Sequence, residues 1–165
     1  MLVRKLTEED GEALWTLRLR ALRDNPEAFY VTYEETLASG RERLVEQLRQ
    51  GEEAFYIGAF EPDLIGMVYF RREEGSKNRH KGRILSMYVQ PERRGQGAGK
   101  ALLREVITQA KRLAGVEQLH LSVVTTNTAA HSLYHAMGFE VYGTVPHALK
   151  MDEQYWDEYL MVLRL

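Results

Sequence analysis

The apolar residues along the chain recur with two periods, and each period predicts a different kind of element. Apolar residues three or four positions apart, as at Leu14, Leu17 and Ala21, predict an amphipathic helix that ends before Pro26. The same spacing predicts a second helix over "RERLVEQLRQ" and a third over "KALLREVITQAKRLA". A short fourth helix is predicted over "TNTAAHSLYHA", which begins near an asparagine and is followed by a glycine.

Short apolar runs between polar turns predict the strands. "LVRKL" opens the chain, "AFYIGAF" and "LIGMVYFRR" flank the turn "EPD" as a hairpin, and "RILSMYV" follows a polar loop. "EQLHLSVV", "FEVYGTV" and "EYLMVLRL" complete the set, with a polar and aromatic loop between the last two. The segment "EAFYVTYEETLASG" is only weakly periodic and is expected to be a loop or a short helix.

These elements predict the order β-α-α-β-β-β-α-β-α-β-β. The fold class is therefore α/β (α+β), with a mixed, mostly antiparallel sheet of about seven strands flanked by about four helices. We expect a single domain over residues 1–165, because no linker, repeat or low-complexity tract interrupts the pattern.

Composition and charge exclude several classes of partner. The formal net charge of −2 predicts no strong attraction to nucleic acid or to an anionic membrane. No run of 18 apolar residues could span a bilayer, and the charged start "MLVRKLTEED" is not a signal peptide, so a cytoplasmic protein is expected. The absence of cysteine excludes disulfides and thiolate chemistry, and no carboxylate accompanies the pair His131 and His135, so no metal site is predicted.

The stretch "MYVQPERRGQGAGKALL" places a glycine-rich turn between a strand and a helix, as many phosphate sites do. A P-loop would need a glycine where Arg94 stands and a serine or threonine where Ala101 stands. A dinucleotide fingerprint needs G-x-G-x-x-G, whereas Gly95, Gly97 and Gly99 are spaced G-x-G-x-G and follow an antiparallel meander. The remaining pattern, [Q/R]-x-x-G-x-[G/A], suits a pyrophosphate, because glycines let backbone N–H groups approach an anion closely. Alone, it could equally be an ordinary turn from strand to helix.

The surroundings of this turn carry a family resemblance. Together with "LSVVTTNTAAHSLYHAMGFEVYG" about 25 residues later, the stretch closely resembles the GNAT superfamily of N-acetyltransferases. The resemblance implies that the chain binds acetyl-CoA as a cosubstrate. The cofactor-binding residues that it implies are Met87, Tyr88, Val89, Arg94, Gly95, Gln96, Gly97, Ala98, Gly99, Lys100, Asn127 and Tyr134.

The resemblance also implies roles within that set. The backbone of the strand before the turn would bind the pantetheine arm, and an N–H of Met87 or Tyr88 would hold the oxyanion. Arg94 would cap the pyrophosphate or brace the turn. Asn127 would lie beside the pantetheine arm or act as a helix N-cap. Tyr134 would donate a proton to the leaving thiolate, with a core tyrosine as the alternative.

The general base is not identified by this pattern. Relatives carry a glutamate at one of two positions, where this chain has Ser122 and Arg83. Ser122 could hold a water molecule, and His120, two residues away on the same strand face, has a suitable intrinsic pKa. Both are candidates for a water-mediated base.

The acceptor is expected to be an amine-bearing small molecule or a peptide. The segments "NPEAFYVTYEETL" and "VPHALKMDEQYWDEY", which resemble the family's acceptor pocket, combine aromatic and acidic residues that favour a cationic amine. The substrate candidates are Phe29, Tyr33, Glu34 and Tyr155, with Tyr30, Glu35, Asp152, Glu153 and Trp156 as further aromatic or acidic residues. A homodimer is possible, as in relatives. The alternatives to an acetyltransferase are a catalytically silent acyl-CoA-binding domain and, with little support, a nucleotide hydrolase.

Overall fold

A computed structural model describes all residues, 1–165. The strands are β1 (Leu2–Lys5), β2 (Ala54–Phe60), β3 (Leu64–Arg72), β4 (Lys81–Val89), β5 (Gln118–Val124), β6 (Glu140–Met151) and β7 (Gln154–Arg164). The α-helices are α1 (Gly11–Asp24), α2 (Tyr33–Leu48), α3 (Ala98–Lys111) and α4 (Thr128–Ala136). This is the predicted number and order of strands and helices, so the predicted fold class is confirmed.

All seven strands form one sheet in the order β1-β2-β3-β4-β5-β7-β6. Neighbouring strands are antiparallel except β4 and β5, which are parallel. The sheet is therefore mixed and mostly antiparallel, and its one parallel pair, which α3 connects, lies at the centre. None of the helices is both long enough and apolar enough to cross a bilayer.

Each face of the sheet is covered by its own hydrophobic cluster. A cluster of 20 buried residues joins the sheet to α3 and includes Leu102, Leu103 and Val106. A second cluster of 13 buried residues joins the opposite face to α1 and includes Leu14 and Leu17. Helices on both faces of a sheet are the arrangement expected when strands and helices alternate along the chain.

Helix α2 begins earlier than the hydrophobic pattern suggests, because its first turn is stabilised by a capping box. The Thr32 hydroxyl accepts a hydrogen bond from the Glu35 N–H (3.0 Å), and the Glu35 carboxylate accepts one from the Thr32 N–H (2.8 Å). Gly40, with φ of 78°, then kinks the helix. The weakly periodic segment is thus the first half of α2, and the predicted second helix is its second half.

The predicted loop before the last strand is wrong. Strand β6 continues to Met151, and a turn at Asp152, where φ is 53°, joins it directly to β7. Leu149 pairs with Trp156 and Lys150 with Tyr155 near the tip of this hairpin. Most side chains of β6 are exposed. The hairpin end therefore lacks the apolar alternation from which a strand is predicted.

The central parallel pair separates soon after it begins. Strands β4 and β5 pair only from Lys81 to Arg83 on one strand and from Gln118 to His120 on the other. Past these residues β4 is bent by an irregularity opposite Met67 to Tyr69, where Ser86 has a φ of 54°. The two strands therefore diverge toward their carboxyl ends and leave a gap in the middle of the sheet.

Candidate functional site

A cavity of about 950 Å³ occupies the gap between β4 and β5. Its walls come from the ends of both strands, from the glycine turn before α3, from the start of α4, and from α1, α2 and the segment between them. This cavity is large enough for a cofactor together with a small second molecule. The glycine turn and the start of α4, which are distant in the sequence and were predicted to belong to one site, both line this cavity.

The edge of β4 that faces the gap presents free backbone groups. The Gln90 N–H donates to the Ile65 carbonyl (2.9 Å). This bond shows that the N–H of residue 90 points toward the side of β3. Because the direction of the N–H groups alternates along a regular strand, the N–H of Tyr88 also points toward β3 and that of Val89 points into the gap, whereas Met87 lies in the bulge beside Ser86. Of the two predicted oxyanion donors, Tyr88 directs its N–H toward β3, which leaves Met87 as the candidate.

The glycine turn exposes the amino end of α3 to the cavity. Gly95 and Gly97 have φ of 76° and 88°, and Gly97 is the N-cap of the helix. A Cβ on either residue would meet no protein atom within 4 Å, so the turn is open on its outer side. Lys100 lines the cavity in the first helical turn. Open backbone, a helix amino end and a cation together suit an anion.

Arg94 braces this turn from within. Its Nε donates to the Val89 carbonyl (2.9 Å), and its Nη2 donates to the Asn25 side-chain oxygen (2.9 Å). Arg94 also lines the cavity, so it can contribute positive charge. Gln96 instead donates to the carbonyl of Glu92 (3.4 Å) and does not line the cavity.

Helix α4 contributes Asn127 and Tyr134, and both line the cavity. The Asn127 side chain accepts a hydrogen bond from the Ala130 N–H (3.1 Å) and so caps the helix. The Tyr134 ring packs edge-on against Phe139, with 6.1 Å between the ring centroids. Burial raises the pKa of the Tyr134 phenol, so this hydroxyl keeps its proton throughout the neutral range.

The two predicted base candidates lie in different places. Ser122 lines the cavity, whereas His120 does not. The ring nitrogens of His120 lie 3.1 Å from the Tyr142 hydroxyl and 3.0 Å from the Gln118 side-chain oxygen. Burial, together with the nearby Lys81, lowers the pKa of His120. The structure thus brings Ser122, but not His120, to the site.

A buried carboxylate, Glu158 on β7, lines the same cavity and was missed in the sequence analysis. The residue is 7% exposed, and the Tyr30 hydroxyl donates to its Oε2 (3.0 Å). Burial raises the pKa of Glu158, and the bond from Tyr30 opposes that effect. Glu158 pairs with Val124, two residues beyond Ser122 on the neighbouring strand. Its signal in the sequence is weak, because Glu158 is the first residue of the predicted strand "EYLMVLRL" and looks like the polar end of an apolar run.

This arrangement can be compared with known proteins. Residues 15–139 match the model of the acetyltransferase (GNAT) family. The chain belongs to the GNAT family. The N-alpha-acetyltransferases of Sulfurisphaera tokodaii and Sulfolobus acidocaldarius are 30% and 33% identical to it over 128 residues, which cover 73% of this chain and 75% and 74% of theirs. The predicted N-acetyltransferase family and activity class are confirmed.

A solved GNAT structure has the same fold. The phosphinothricin acetyltransferase of Sinorhizobium meliloti shares the fold, with a TM-score of 0.85, 23% identity and coverage of 99% of this chain and 88% of the other. That structure is a complex with AcCoA. The predicted cosubstrate, acetyl-CoA, is thus the one found in this fold. No cluster of three or more side chains that could ligate a metal is present in this GNAT protein.

The predicted acceptor residues are only partly gathered at the site of this GNAT protein. Phe29 is buried and lines the cavity. Tyr30 and Glu35 also line it, but both residues are exposed. The Tyr33 hydroxyl instead accepts a hydrogen bond from Arg23 (2.6 Å) outside the cavity. The other predicted acceptor residues, Glu34, Tyr155, Asp152, Glu153 and Trp156, do not line it either. Tyr155 lies on the hairpin, where its ring stacks on His147 with 4.4 Å between centroids.

Proposed function

We propose that this GNAT protein transfers the acetyl group of acetyl-CoA to a primary amine by direct attack of the amine on the thioester. One observation carries the proposal. The unpaired edge of β4 is followed, after one short 3-10 turn (Pro91–Arg93), by the glycine turn and the amino end of α3, and the strand edge and the glycine turn line one cavity. A strand edge can bind the amide-bearing pantetheine arm, and the turn can bind the pyrophosphate.

The cofactor half of the cavity fits acetyl-CoA at both ends. The backbone N–H groups from Gly95 to Lys100 would hold the pyrophosphate on the side where a Cβ would find open space. The N–H of Val89 would pair with the pantetheine arm, and the N–H of Met87 would stabilise the developing oxyanion. Asn127 would keep its capping role while it lies beside the pantetheine arm.

We propose Glu158 as the general base. It is the buried carboxylate of the cavity, and its raised pKa brings its basicity closer to what proton removal from an ammonium group requires. Tyr30 orients the carboxylate, and Ser122 lies close enough to hold a water molecule between Glu158 and the amine. His120 and Ser122 remain weaker candidates, since neither is a carboxylate.

Two protons leave the amine nitrogen during the reaction, one before the attack and one as the amide forms. Glu158 accepts a proton from the ammonium group, which frees the nitrogen lone pair. Bound acetyl-CoA supplies the thioester carbon that the amine attacks. The Met87 N–H holds the negative charge on the carbonyl oxygen until the carbon–sulfur bond breaks, and Tyr134 donates its proton to the departing sulfur. As the amide forms, its nitrogen loses the second surplus proton, which restores the Tyr134 phenol. The proton held by Glu158 is released to water.

The experiment is to incubate the protein with acetyl-CoA and a panel of primary amines while free thiol is measured. Glu158→Gln should lower kcat by about a hundredfold or more with little change in CoA affinity. Glu153→Gln, in the exposed turn of the same hairpin, is the matched control and should leave the rate unchanged. An unchanged rate in Glu158→Gln would exclude this residue as the base.

The pH dependence supplies a second test of the base. Because the pKa of Glu158 is raised, the carboxyl group stays protonated, and therefore inactive, up to a higher pH than an ordinary glutamate. The acidic limb of kcat/KM should lie above the usual glutamate range and disappear in Glu158→Gln. Tight CoA binding without turnover of any amine would instead favour a silent acyl-CoA-binding domain.

The remaining expectations concern assembly and location. A homodimer stays a prediction, and the exposed apolar side chains Val141, Tyr142 and Val145 on the edge strand β6 support it. Light scattering of the wild type and of a Tyr142→Lys variant tests it. We also infer a cytoplasmic location from the cysteine-free chain.

A further inference from the structure

An arginine without a carboxylate partner projects from α1 into the acceptor side of the cavity. The Arg18 guanidinium donates to the Ser86 hydroxyl (2.6 Å) and lies over the Phe29 ring, 4.8 Å from its centroid. Neither partner carries a negative charge. A guanidinium has five N–H groups, and only one of those on Arg18 donates to a protein oxygen.

The surroundings of Arg18 make this lack of an anion costly. Arg18 is half-buried, and burial lowers the pKa of its guanidinium, because the charge loses part of its water without gaining a carboxylate partner. Buried charges in proteins are normally paired. An unpaired one that points into a ligand cavity is most simply explained by an anion on the ligand.

Further arginines extend this positive wall. Arg71 and Arg83 stand directly opposite each other on β3 and β4, and both line the cavity. Like charges in this position destabilise a sheet unless something neutralises them. Glu73 pairs with Arg83 (2.7 Å), but Arg71 forms no ion pair.

Three carboxylates line the cavity, and each accepts a hydrogen bond, although the one that Glu27 accepts from the Asn25 side-chain nitrogen is long (3.5 Å). Glu35 accepts the Thr32 N–H in the cap of α2 (2.8 Å), and Glu158 accepts the Tyr30 hydroxyl (3.0 Å). The cavity therefore combines the proposed base and two further carboxylates with a larger number of cationic side chains. This differs from the aromatic and acidic pocket that the sequence predicts for a purely cationic amine.

We propose that the acceptor is an amino-acid-like amine whose carboxylate binds the Arg18 guanidinium while its nitrogen lies at Glu158. The inference rests on the proposed acetyl transfer and specifies its substrate class. Ser86 immediately precedes Met87, the proposed oxyanion donor, so the anion binds one residue away from the reacting thioester. Amine and carboxylate must then be only a few bonds apart. A peptide N-terminus, whose first carboxyl group is an amide, lacks this anion.

The test compares amino acids with their own carboxamides as acceptors for wild-type protein and Arg18→Gln. The variant should lose about ten- to a hundredfold in kcat/KM for the carboxylate acceptor, mainly through KM, which is the value of one charge-assisted hydrogen bond. Carboxamide acceptors and CoA affinity should change by less than about twofold. Because each acceptor is compared across the two proteins, differences in amine pKa between acid and amide cancel.

Arg23→Gln is the matched control. Arg23 lies on the same helix, donates to a hydroxyl (Tyr33, 2.6 Å) and lies over an aromatic ring at 4.4 Å, but it does not line the cavity. It should leave every acceptor unaffected. Arg18→Lys should recover part of the preference for the carboxylate, because it keeps the charge but not the planar fork.

Three results would overturn the inference. Wild-type protein could prefer carboxamides or peptide N-termini. Arg18→Gln could lower kcat equally for both acceptors, which would assign Arg18 to the thioester oxygen. Its KM values could also stay unchanged for the carboxylate.

A failure of acetyl transfer itself would look different, because no amine in the panel would release thiol from CoA-loaded protein. In that case the fluorescence of Trp15, which lines the cavity, tests whether a carboxylate binds at Arg18. Titration of CoA-loaded protein with the carboxylate should quench the wild type and not Arg18→Gln. Equal responses of the two proteins would exclude the site.

Discussion

Gly97→Ala tests the proposed pyrophosphate site most directly. Gly97 has a φ of 88°, and a Cβ there would point into space that no protein atom within 4 Å occupies. In free protein the methyl group therefore costs only backbone strain. In the complex it would occupy the side from which an anion approaches the amino end of α3.

The expected magnitudes follow from these two effects. A left-handed conformation costs an alanine about 1–2 kcal/mol relative to glycine, so Tm should fall by about 2–8 °C. If the methyl group displaces the pyrophosphate from one backbone N–H, the loss is that of one bond to a charged group, about 1.5–3 kcal/mol. CoA should then bind about ten- to a hundredfold more weakly.

Gly75→Ala is the control for strain. Gly75 has a φ of 83° and equally open space around its Cβ, but it lies in the loop between β3 and β4, away from the cavity. Both variants should lose similar stability in thermal unfolding. Calorimetric titration with CoA should show weaker binding for Gly97→Ala alone. Turnover of S-acetylpantetheine, which lacks the pyrophosphate, should be equal in both variants once each is compared below its Tm.

If Gly97→Ala loses the expected stability but binds CoA as tightly as the wild type, this reasoning is refuted. The methyl group would then point away from the bound cofactor, and the pyrophosphate would lie elsewhere. Equal loss of S-acetylpantetheine turnover and CoA affinity would also refute it, because the damage would then extend to the thioester end.

Three further predictions concern the core, the first strand and the proposed acid. Gly82→Ala should lower Tm by about 6–12 °C in thermal unfolding, because its Cβ would overlap the Phe70 ring and overpacking costs about 3 kcal/mol. Asp10→Asn should destabilise the protein by about 1 kcal/mol near neutral pH, since the Arg4 guanidinium and a backbone N–H hold the pKa of Asp10 below its usual range. That stability is present above the unfolded pKa and is lost as pH falls through the folded one, so the two Tm curves should converge below about pH 4. Tyr134→Phe should lower kcat about ten- to a hundredfold without changing Tm, and an unchanged kcat would leave the ring a purely structural role.

The order of elements could be predicted from the sequence because most of its signals are local. The stripe of α1, the turn between β2 and β3, and the cap of α4 at Asn127 each lie within about a dozen residues. The prediction failed at the outer end of the β6–β7 hairpin. There both faces of the strands meet water, so pairing between Leu149 and Trp156 leaves no trace in the hydrophobic pattern.

The proposed cofactor half of the site could be inferred from the sequence for the same reason. Met87 through Lys100 are contiguous, and the work assigned to them is done mainly by backbone groups whose geometry depends on glycine positions. The acceptor half is assembled from α1, α2, β4 and β7, with Arg18 and Glu158 separated by most of the chain. No local pattern connects such residues. Only the register of the sheet and the packing of α1 on it bring them together.

That register also explains how a base can be present although both expected positions lack a carboxylate. Ser122 pairs with Leu160, and Val124 pairs with Glu158, so the serine and the glutamate are diagonal neighbours on adjacent strands. Diagonal positions lie within reach of a long side chain, because strands are only about 4.8 Å apart. A carboxylate on β7 can thus extend into the space that a carboxylate at position 122 would fill. The position of the base along the sequence is therefore less constrained than its position in the cavity, since two adjacent strands can supply the same charge.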